Sequence, residues 1–125
     1  MRDMKESSEN YLETILILSE KLERVRSVDI ANELGFAKPS ISVAMKKLKA
    51  RDCIDIDRRG SITLTEKGME IAKNVYARHT LLTDVFLKLG VNEEVAIADA
   101  CKIEHFLSQE TVDRIRDYAE KMKDE

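Results

Sequence analysis

Apolar residues near the start of the chain recur with the period of an α-helix. They fall at spacings that share one helical face, and they are Tyr11, Leu12, Ile15, Leu16 and Leu18. Serine is a favoured N-cap residue, because its hydroxyl accepts a hydrogen bond from an N–H group of the first turn. The pattern therefore predicts a first helix that begins at Ser7 or Ser8 and runs to about Leu22.

Two shorter helices are predicted next, with a glycine between them. Ser27 is expected to cap a helix over 28–34, and Gly35 is expected to end it in the left-handed conformation that glycine adopts readily. Pro39 suits the first turn of the following helix, which should end near Arg51. The residues of that helix expected in the core are Ile41, Met45 and Leu48. A short helix, a glycine turn and a second helix have the spacing of a helix-turn-helix.

Two short segments of strictly alternating polarity then surround a basic turn. Residues 54–57 read Ile-Asp-Ile-Asp and residues 61–64 read Ser-Ile-Thr-Leu, with Arg58, Arg59 and Gly60 between them. Alternation with a period of two predicts half-buried strands, and a short connection that contains glycine predicts a β-hairpin. A helix-turn-helix followed by a hairpin with a basic tip is the pattern of a winged helix.

Three longer amphipathic segments complete the chain. Their predicted caps and ranges are Thr65 with 66–89, Asn92 with 93–107, and Ser108 with 109–123. Gly90 is expected to close the first of them. The last two carry apolar stripes that are wide for surface helices, formed by Ile97, Ala100, Ile103, Phe106, Val112, Ile115 and Tyr118. Such surplus apolar surface is normally buried against a second copy, so a homodimer is predicted.

Together these elements predict a mainly α protein with two parts. A winged helix-turn-helix domain is expected over 1–72, including the start of the long linking helix, and a helical dimerisation domain over 73–125. The composition, 43% hydrophobic and 36% charged, argues against disorder. Apolar runs are too short for a membrane span, and the N-terminus lacks the apolar stretch of a signal peptide. Two cysteines do not make a disulfide framework, so a cytoplasmic location is predicted.

Basic residues are concentrated on the predicted DNA-reading elements. The net charge is −3, yet residues 36–60 hold seven basic side chains and three acidic ones. A single lysine is best explained as part of a solvated helix face. Bases on both the second helix of the helix-turn-helix and the wing tip match a surface that contacts phosphates. The predicted DNA-contacting residues are Ala37, Lys38, Pro39, Ser40, Ser42, Val43, Lys46, Lys47, Arg58 and Arg59.

Residues 101–105 read Cys-Lys-Ile-Glu-His and hold three metal-binding side chains within one helical turn. On a helix, Cys101, Glu104 and His105 would project from the same face. A thiolate, a carboxylate and an imidazole suit a divalent transition metal such as Fe²⁺, Mn²⁺, Co²⁺ or Zn²⁺. The alternative is that Cys101 packs as a small apolar residue, with the other two at the edge of that face.

Three further side chains are candidate ligands. Asn10 and Glu13 lie three residues apart on the first predicted helix, and His79 lies on the long helix. Each also has an ordinary explanation when taken alone. Glu13 fits a surface carboxylate, Asn10 fits a polar residue of the first turn, and His79 fits a core residue or a partner of a helix terminus.

The order of these features resembles the diphtheria toxin repressor family of metal-dependent transcriptional repressors over essentially the whole chain. The most specific element is Asp-Ala-Cys-Lys-Ile-Glu-His-Phe-Leu-Ser at 99–108, in register with a winged helix and with an Arg-His pair at 78–79. The resemblance implies a homodimer that binds a palindromic operator in double-stranded DNA when Fe²⁺ or Mn²⁺ is bound. It further implies that this binding represses genes of metal-ion uptake.

The resemblance also implies roles for the candidate ligands. Cys101, Glu104 and His105 match the helix that ligates the metal, and Asn10 lies where the family has a first-helix ligand. His79 and Glu13 match a neighbouring second metal position.

Departures from the family pattern bear on which metal is bound. Cys101 matches the iron-responsive members, whereas Glu13 matches the manganese-responsive members and Asn10 matches neither. Thr83 and Ile97 stand where the family has a glutamate and a histidine. We therefore expect Fe²⁺ as the first choice of metal and Mn²⁺ as the second. By its length the chain resembles the short form of the family, which has no C-terminal SH3-like domain.

Two other classes of protein were weighed against a metal-dependent repressor. A non-haem iron enzyme could draw its ligands from His79, His105 and Glu104, but no sequence feature indicates a substrate pocket or a nucleophile. We therefore expect no enzymatic activity and no small-molecule substrate. A winged-helix regulator without a metal, or a redox switch through Cys101 or Cys53, is the nearer alternative. Cys53 is most simply a packed turn residue.

Overall fold

The computed structural model describes the backbone of residues 4–123 and the side chains of residues 7–123. It is mainly α-helical, with one two-stranded antiparallel sheet among the described residues, which confirms the predicted fold class. In chain order the elements are α1 (Met4–Lys21), α2 (Ser27–Leu34), α3 (Lys38–Ala50), β1 (Ile54–Ile56), β2 (Ile62–Leu64), α4 (Glu66–Lys88), α5 (Glu93–Ile103) and α6 (Gln109–Lys123). The chain divides into two compact units, residues 1–74 and 75–125, and the division falls within α4.

The first unit is a winged helix built on one hydrophobic core. The apolar stripe of α1 is buried in this core, as is the apolar face of α3, since Ile41, Met45 and Leu48 are each at most 2% exposed. Other members of the core include Leu12, Ile15, Ile30, Ile54, Ile62 and Ala72. The face of α3 that carries Lys46 and Lys47 is left exposed.

The wing is the hairpin of β1 and β2. Ile54 pairs with Leu64, and Ile56 pairs with Ile62, so the apolar positions of both strands share the face that packs on the core. The N–H of Ile62 also donates to the carbonyl of Val25 at 2.7 Å, which fixes the hairpin to the segment before α2.

Two predicted helix starts in this unit are wrong. α1 is already helical at Met4, so Ser7 and Ser8 lie inside the helix and do not cap it. In α2 the N-cap is Arg26, and Ser27 is the first helical residue. The backbone N–H of Arg26 donates to Oδ2 of Asp29 at 2.9 Å, so an acidic side chain in the first turn takes the place of the expected serine cap.

The start of α4 is packed closely against the end of α3. Thr65 caps α4 as predicted, because its Oγ1 accepts the N–H of Gly68 at 3.1 Å. The same hydroxyl donates to the carbonyl of Asp52 at 2.7 Å, and the N–H of Thr65 donates to the carbonyl of Cys53 at 3.0 Å. A Cβ atom on Gly68 would collide with that Cys53 carbonyl. Glycine is therefore required at position 68 by the close approach of two backbones.

The second unit consists of the C-terminal part of α4 with α5 and α6. Its buried apolar residues are Val75, Leu82, Ala96, Ala100, Val112 and Ala119. The predicted caps at Asn92 and Ser108 are confirmed, since Asn92 Oδ1 accepts the N–H of Glu94 and Ser108 Oγ accepts the N–H of Thr111. Several residues of the predicted apolar stripes remain exposed in the single chain, among them Ile97, Phe106 and Tyr118.

The predicted end of α5 at Leu107 is wrong, because the helix ends at Ile103. The N–H groups of Phe106 and Leu107 both donate to the carbonyl of Ile103, which closes a tight turn over 104–107 before α6 begins. Within the described residues, no helix combines the length and the apolar character that crossing a membrane requires.

Candidate metal centre

The turn that ends α5 places two of the predicted ligands in the interior of the second unit. Glu104 is the C-cap of the helix, and its N–H still donates to the carbonyl of Ala100. The exposed fraction of Glu104 is 0% and that of His105 is 5%, while Phe106 points outward with 64% exposed. A buried carboxylate beside a buried imidazole is costly unless polar partners or a cation compensate for the lost hydration.

Glu104 lies between two histidines. Its Oε2 is 2.8 Å from Nδ1 of His79 on α4, and its Oε1 is 3.4 Å from Nε2 of His105. His79 retains 25% side-chain exposure, so the cluster is reached from solvent on the His79 side. Within the second unit the structure thus brings together the predicted ligands His79, Glu104 and His105, and the last two are adjacent in the sequence.

The donor set of this cluster fits a divalent transition metal. Oε1 of Glu104 is buried and accepts no hydrogen bond from any described residue. An imidazole, a carboxylate and a second imidazole are ligands that Fe²⁺, Mn²⁺, Co²⁺ and Zn²⁺ all accept. A cation among these atoms would use the lone pairs of Oε1, to which no described residue donates a hydrogen bond. The residues therefore fit a metal.

Cys101 differs from its two predicted companions. Its side chain is exposed, whereas Glu104 and His105 are buried. Glu104 is the C-cap of α5 and its N–H still donates to the carbonyl of Ala100, so Cys101 and Glu104 keep the predicted spacing of three residues in the last helical turn while differing in exposure.

The remaining predicted ligands belong to α1 in the first unit. Asn10 is half-buried and Glu13 is 8% exposed, a low value for a carboxylate. The two residues are three positions apart on a regular helix, so they share one of its faces.

Arg78 was missed as a functional residue in the sequence. Its only signal in the sequence is its place beside His79 in the Arg-His pair. In the structure its Nη1 donates to the carbonyls of Glu104 and Leu107, at 3.1 and 2.8 Å, and its Nη2 donates to Oε1 of Gln109 at 3.0 Å. These acceptors lie 26 to 31 residues away, and no local sequence pattern identifies such a distant backbone acceptor.

The predicted DNA-contacting residues lie on the surface of the first unit. Nine of the ten are exposed, and Ser42 is half-buried. Ala37 is the N-cap of α3 and Pro39 lies in its first turn, as predicted. The predicted DNA-contacting residues of α3 and of the wing tip are therefore accessible to a large partner.

The wing tip is held by Asp57, one of the three acidic residues among the basic ones of 36–60. Oδ1 of Asp57 accepts the N–H groups of Arg59 and Ser61 at 2.8 and 2.9 Å. The hydrogen bond from Ser61 lowers the pKa of Asp57 below its ordinary value of 3.8, and the bond from Arg59 adds to the effect. The signal in the sequence was Asp-Arg-Arg-Gly, because aspartate commonly bonds backbone N–H groups in turns.

Two family models match the chain and together cover nearly all of it. Residues 3–60 match the N-terminal DNA-binding domain of iron-dependent repressors. Residues 65–125 match the metal-binding and dimerisation domain of iron-dependent repressors.

Transcriptional regulators from other organisms are similar to this chain over nearly its whole length. An HTH-type transcriptional regulator of Methanocaldococcus jannaschii is 34% identical over 123 residues, which are 97% of this chain and 98% of that one. The transcriptional regulator MntR of Escherichia coli is 32% identical over 94% of this chain and 76% of its own length. MntR of Bacillus velezensis is 34% identical over 95% of this chain and 84% of its own.

Solved structures of metal regulators have a similar fold. The manganese regulator SloR matches with a TM-score of 0.80 and 28% identity over 90% of this chain. The metal-dependent transcriptional regulator MtsR matches with a TM-score of 0.82 and 27% identity over the same share. In each case this chain spans about half of the solved chain, 53% of its length.

Proposed function

This chain belongs to the iron-dependent repressor family and is a metal-dependent transcriptional repressor, and from this premise we propose how it acts. A homodimer binds a palindromic operator when Fe²⁺ or Mn²⁺ occupies the centre around Glu104. Binding represses genes of metal-ion uptake in the cytoplasm. The family consists of transcriptional repressors, so we expect no catalytic activity.

The observation that carries this proposal is the buried position of Glu104 between His79 and His105. A carboxylate with no exposed surface has one oxygen that no described residue bonds. A divalent cation compensates for such a charge far better than a neutral partner does. Metal loading should therefore organise the second unit around Glu104.

We propose that the full set of ligands adds Cys101, Asn10 and Glu13 to this cluster. Cys101 precedes Glu104 by three residues, and a thiolate there would favour Fe²⁺ over Mn²⁺ by its softness. Asn10 and Glu13 are supported by the family resemblance and by the burial of the Glu13 carboxylate. Because α1 is part of the DNA-binding unit, ligation by these two residues would make operator affinity depend on the metal.

For DNA we propose the division of labour that the winged helix offers. The residues at the N-terminal end of α3 that face base edges in the major groove are Ala37, Lys38, Pro39, Ser40, Ser42 and Val43. Lys46, Lys47, Arg58 and Arg59 neutralise phosphates, which fixes the position of the protein and does not read sequence. The exposed apolar residues of α5 and α6 supply the homodimer interface.

The test is a titration of operator affinity against several metals. Operator duplexes are first selected from a random-sequence library with protein and Mn²⁺, and in parallel with Fe²⁺ under anaerobic conditions. Fluorescence anisotropy then measures the affinity for one selected duplex with Fe²⁺, Mn²⁺, Co²⁺ and Zn²⁺, and with chelator. We expect the preferred metal to raise affinity by about 5- to 150-fold, the usual range of allosteric coupling.

Two outcomes would count against the proposal. Equal affinity with metal and with chelator would remove the metal from the mechanism. If thiol oxidation of the metal-free protein then changed operator affinity, and Cys101→Ser abolished that change, the protein would be a redox switch. A preference for Mn²⁺ over Fe²⁺ would overturn only the first choice of metal.

A further inference from the structure

The side chain of Arg78 joins α4, which carries His79, to the turn after α5, which carries Glu104. Its guanidinium donates through Nη1 to the carbonyls of Glu104 and Leu107 and through Nη2 to the side chain of Gln109. The two carbonyls mark the beginning and the end of the tight turn that follows α5. One rigid group therefore spans the whole turn.

The position of this guanidinium suits the chemistry of a helix end. The last carbonyls of a helix have no intrahelical partner, and a cation near them is favoured by the helix dipole. The planar fork of arginine presents several N–H groups in fixed directions, so it can hold two carbonyls at once, which the single ammonium of lysine does poorly. Arg78 thus fixes the conformation of the turn and also compensates the partial negative charge of the carbonyls at the end of α5.

The acceptors of Arg78 are two carbonyls and one amide oxygen, all of them neutral. The guanidinium grips Glu104 by its backbone while the Glu104 carboxylate faces His79 and His105. Neighbouring positions of α4 therefore hold the same residue at two points, Arg78 at the carbonyl and His79 at the carboxylate. These two contacts fix the orientation of Glu104, and because Arg78 bonds only the backbone carbonyl it does not neutralise the carboxylate.

We propose that Arg78 is the positioning residue of the metal centre: its bonds to the turn over 104–107 preorganise Glu104 and His105 for ligation. Arg78 does not itself contact the metal. The proposal rests on the proposed function, because it assumes that the cluster around Glu104 binds a divalent cation. A group that orients a ligand from behind typically contributes about 10- to 100-fold in metal affinity.

The experiment compares four variants of the full chain for Mn²⁺ affinity and for Co²⁺ absorption spectra. Arg78→Lys keeps the positive charge but loses the fork, and Arg78→Met keeps most of the apolar stem but loses the charge. Gln109→Leu removes the one acceptor of Arg78 that lies outside the turn. Arg116→Met removes a half-buried arginine of α6 that pairs with Asp113, and it is the matched control for loss of an arginine. Affinity is measured by electron paramagnetic resonance of free Mn²⁺ at a temperature where each metal-free variant is folded by circular dichroism.

We expect Arg78→Lys and Arg78→Met to lose about 10- to 100-fold in Mn²⁺ affinity and to shift the d–d bands of bound Co²⁺. Gln109→Leu and Arg116→Met should stay close to the unsubstituted protein in both measurements. If Arg78→Met fails to fold, Arg78→Lys decides alone. The spectrum matters here, because a purely structural loss of stability would not change the coordination of the metal that does bind.

Three results would overturn the proposal. The first is unchanged affinity together with an unchanged Co²⁺ spectrum in Arg78→Lys. The second is a loss in Gln109→Leu as large as that in Arg78→Lys, because that would assign the effect to the start of α6. The third is a drop in affinity with an unaltered spectrum in every folded Arg78 variant. Failure of the unsubstituted protein to bind Mn²⁺ or Co²⁺ would instead overturn the proposed function.

Discussion

Nδ1 of His79 lies 2.8 Å from Oε2 of Glu104, although 25 residues separate them in the sequence. The contact joins α4 to the turn after α5 and holds these two atoms within the distance that two ligands of one metal ion require. Preorganisation of this kind lowers the cost of binding, since less conformational freedom is lost when the ligand arrives.

Replacing Glu104 by glutamine tests whether the centre needs the negative charge of this side chain or only its size. Glu104→Gln keeps the volume of the side chain and one carbonyl oxygen but removes the negative charge. A group that only orients a ligand contributes up to about 100-fold in metal affinity, so we expect loss of this ligand's charge to lower metal affinity by about 100-fold. Metal-dependent operator binding should be lost with it. Isothermal titration with Mn²⁺ and anisotropy with operator DNA measure the two effects.

Glu120→Gln, at an exposed position of α6, is the matched control and should behave like the unsubstituted protein. Retained metal-dependent repression in Glu104→Gln would show that the metal is bound elsewhere.

The two arginines of the wing tip should act through salt-dependent binding. Arg58 and Arg59 are both exposed, and each phosphate contact releases counterions from DNA. Arg58→Ala and Arg59→Ala should each reduce the slope of log affinity against log salt concentration by about 0.9. Anisotropy at several salt concentrations measures the slope, and Arg116→Ala on α6 should leave it unchanged. A reduced affinity with the original slope would mean that these arginines do not contact phosphates.

The carboxylate of Asp57 should control the order of the wing as the pH changes. Its pKa in the folded protein lies below the ordinary value of 3.8, chiefly because the N–H of Ser61 bonds the charged form. The contribution of Asp57 to the wing is therefore complete above the ordinary value and is lost as the pH falls through the folded-state pKa. Nuclear magnetic resonance should show the carboxyl group and the Ser61 amide titrating together, below pH 3.8.

Asp57→Asn is the control for this titration, because its amide oxygen can still accept hydrogen bonds but cannot be protonated in this range. The inflection of the Ser61 amide should disappear in that variant. A carboxyl group that titrates at or above its ordinary value would contradict the expectation.

A methyl group at position 68 should destabilise the first unit. Gly→Ala inside a helix normally stabilises by about 0.5 to 1 kcal/mol, because glycine has the higher conformational entropy in the unfolded chain. At Gly68 the new Cβ would meet the carbonyl of Cys53, so we expect the opposite sign, a loss of about 1 to 3 kcal/mol in the free energy of unfolding. Urea denaturation followed by circular dichroism measures it, and any gain in stability would show that α4 can move away from Cys53.

Much of the fold was predictable because local chemistry decides where helices begin and end. The amide oxygen of Asn92 caps α5 and the hydroxyl of Ser108 caps α6, as these residue types predict. Gly35 ends α2 with a φ of 71°. Ser27 was mistaken for a cap because a serine alone does not show which residue will accept the first N–H. Here Arg26 is the N-cap, and Asp29 in the first turn accepts its N–H.

The candidate site was predictable in its residue types but not in its arrangement. The apolar period of α5 continues through Phe106 and Leu107, so the sequence gives no local reason for the helix to end at Ile103. In the structure Arg78, on another helix, donates to two carbonyls of the turn, and the local sequence does not show such a tertiary contact. The exposure of Cys101 and the burial of Glu104 likewise depend on what packs against each side chain, which the periodicity of the sequence does not show.

The different exposure of the two cysteines gives the protein two chemical reporters. Cys53 is 4% exposed beneath the start of α4, whereas Cys101 is exposed beside the proposed centre. An alkylating reagent should therefore modify Cys101 in the native protein and reach Cys53 only when the first unit opens. Mass spectrometry of the two modified peptides would then follow occupancy of the centre and unfolding of the DNA-binding unit in one sample.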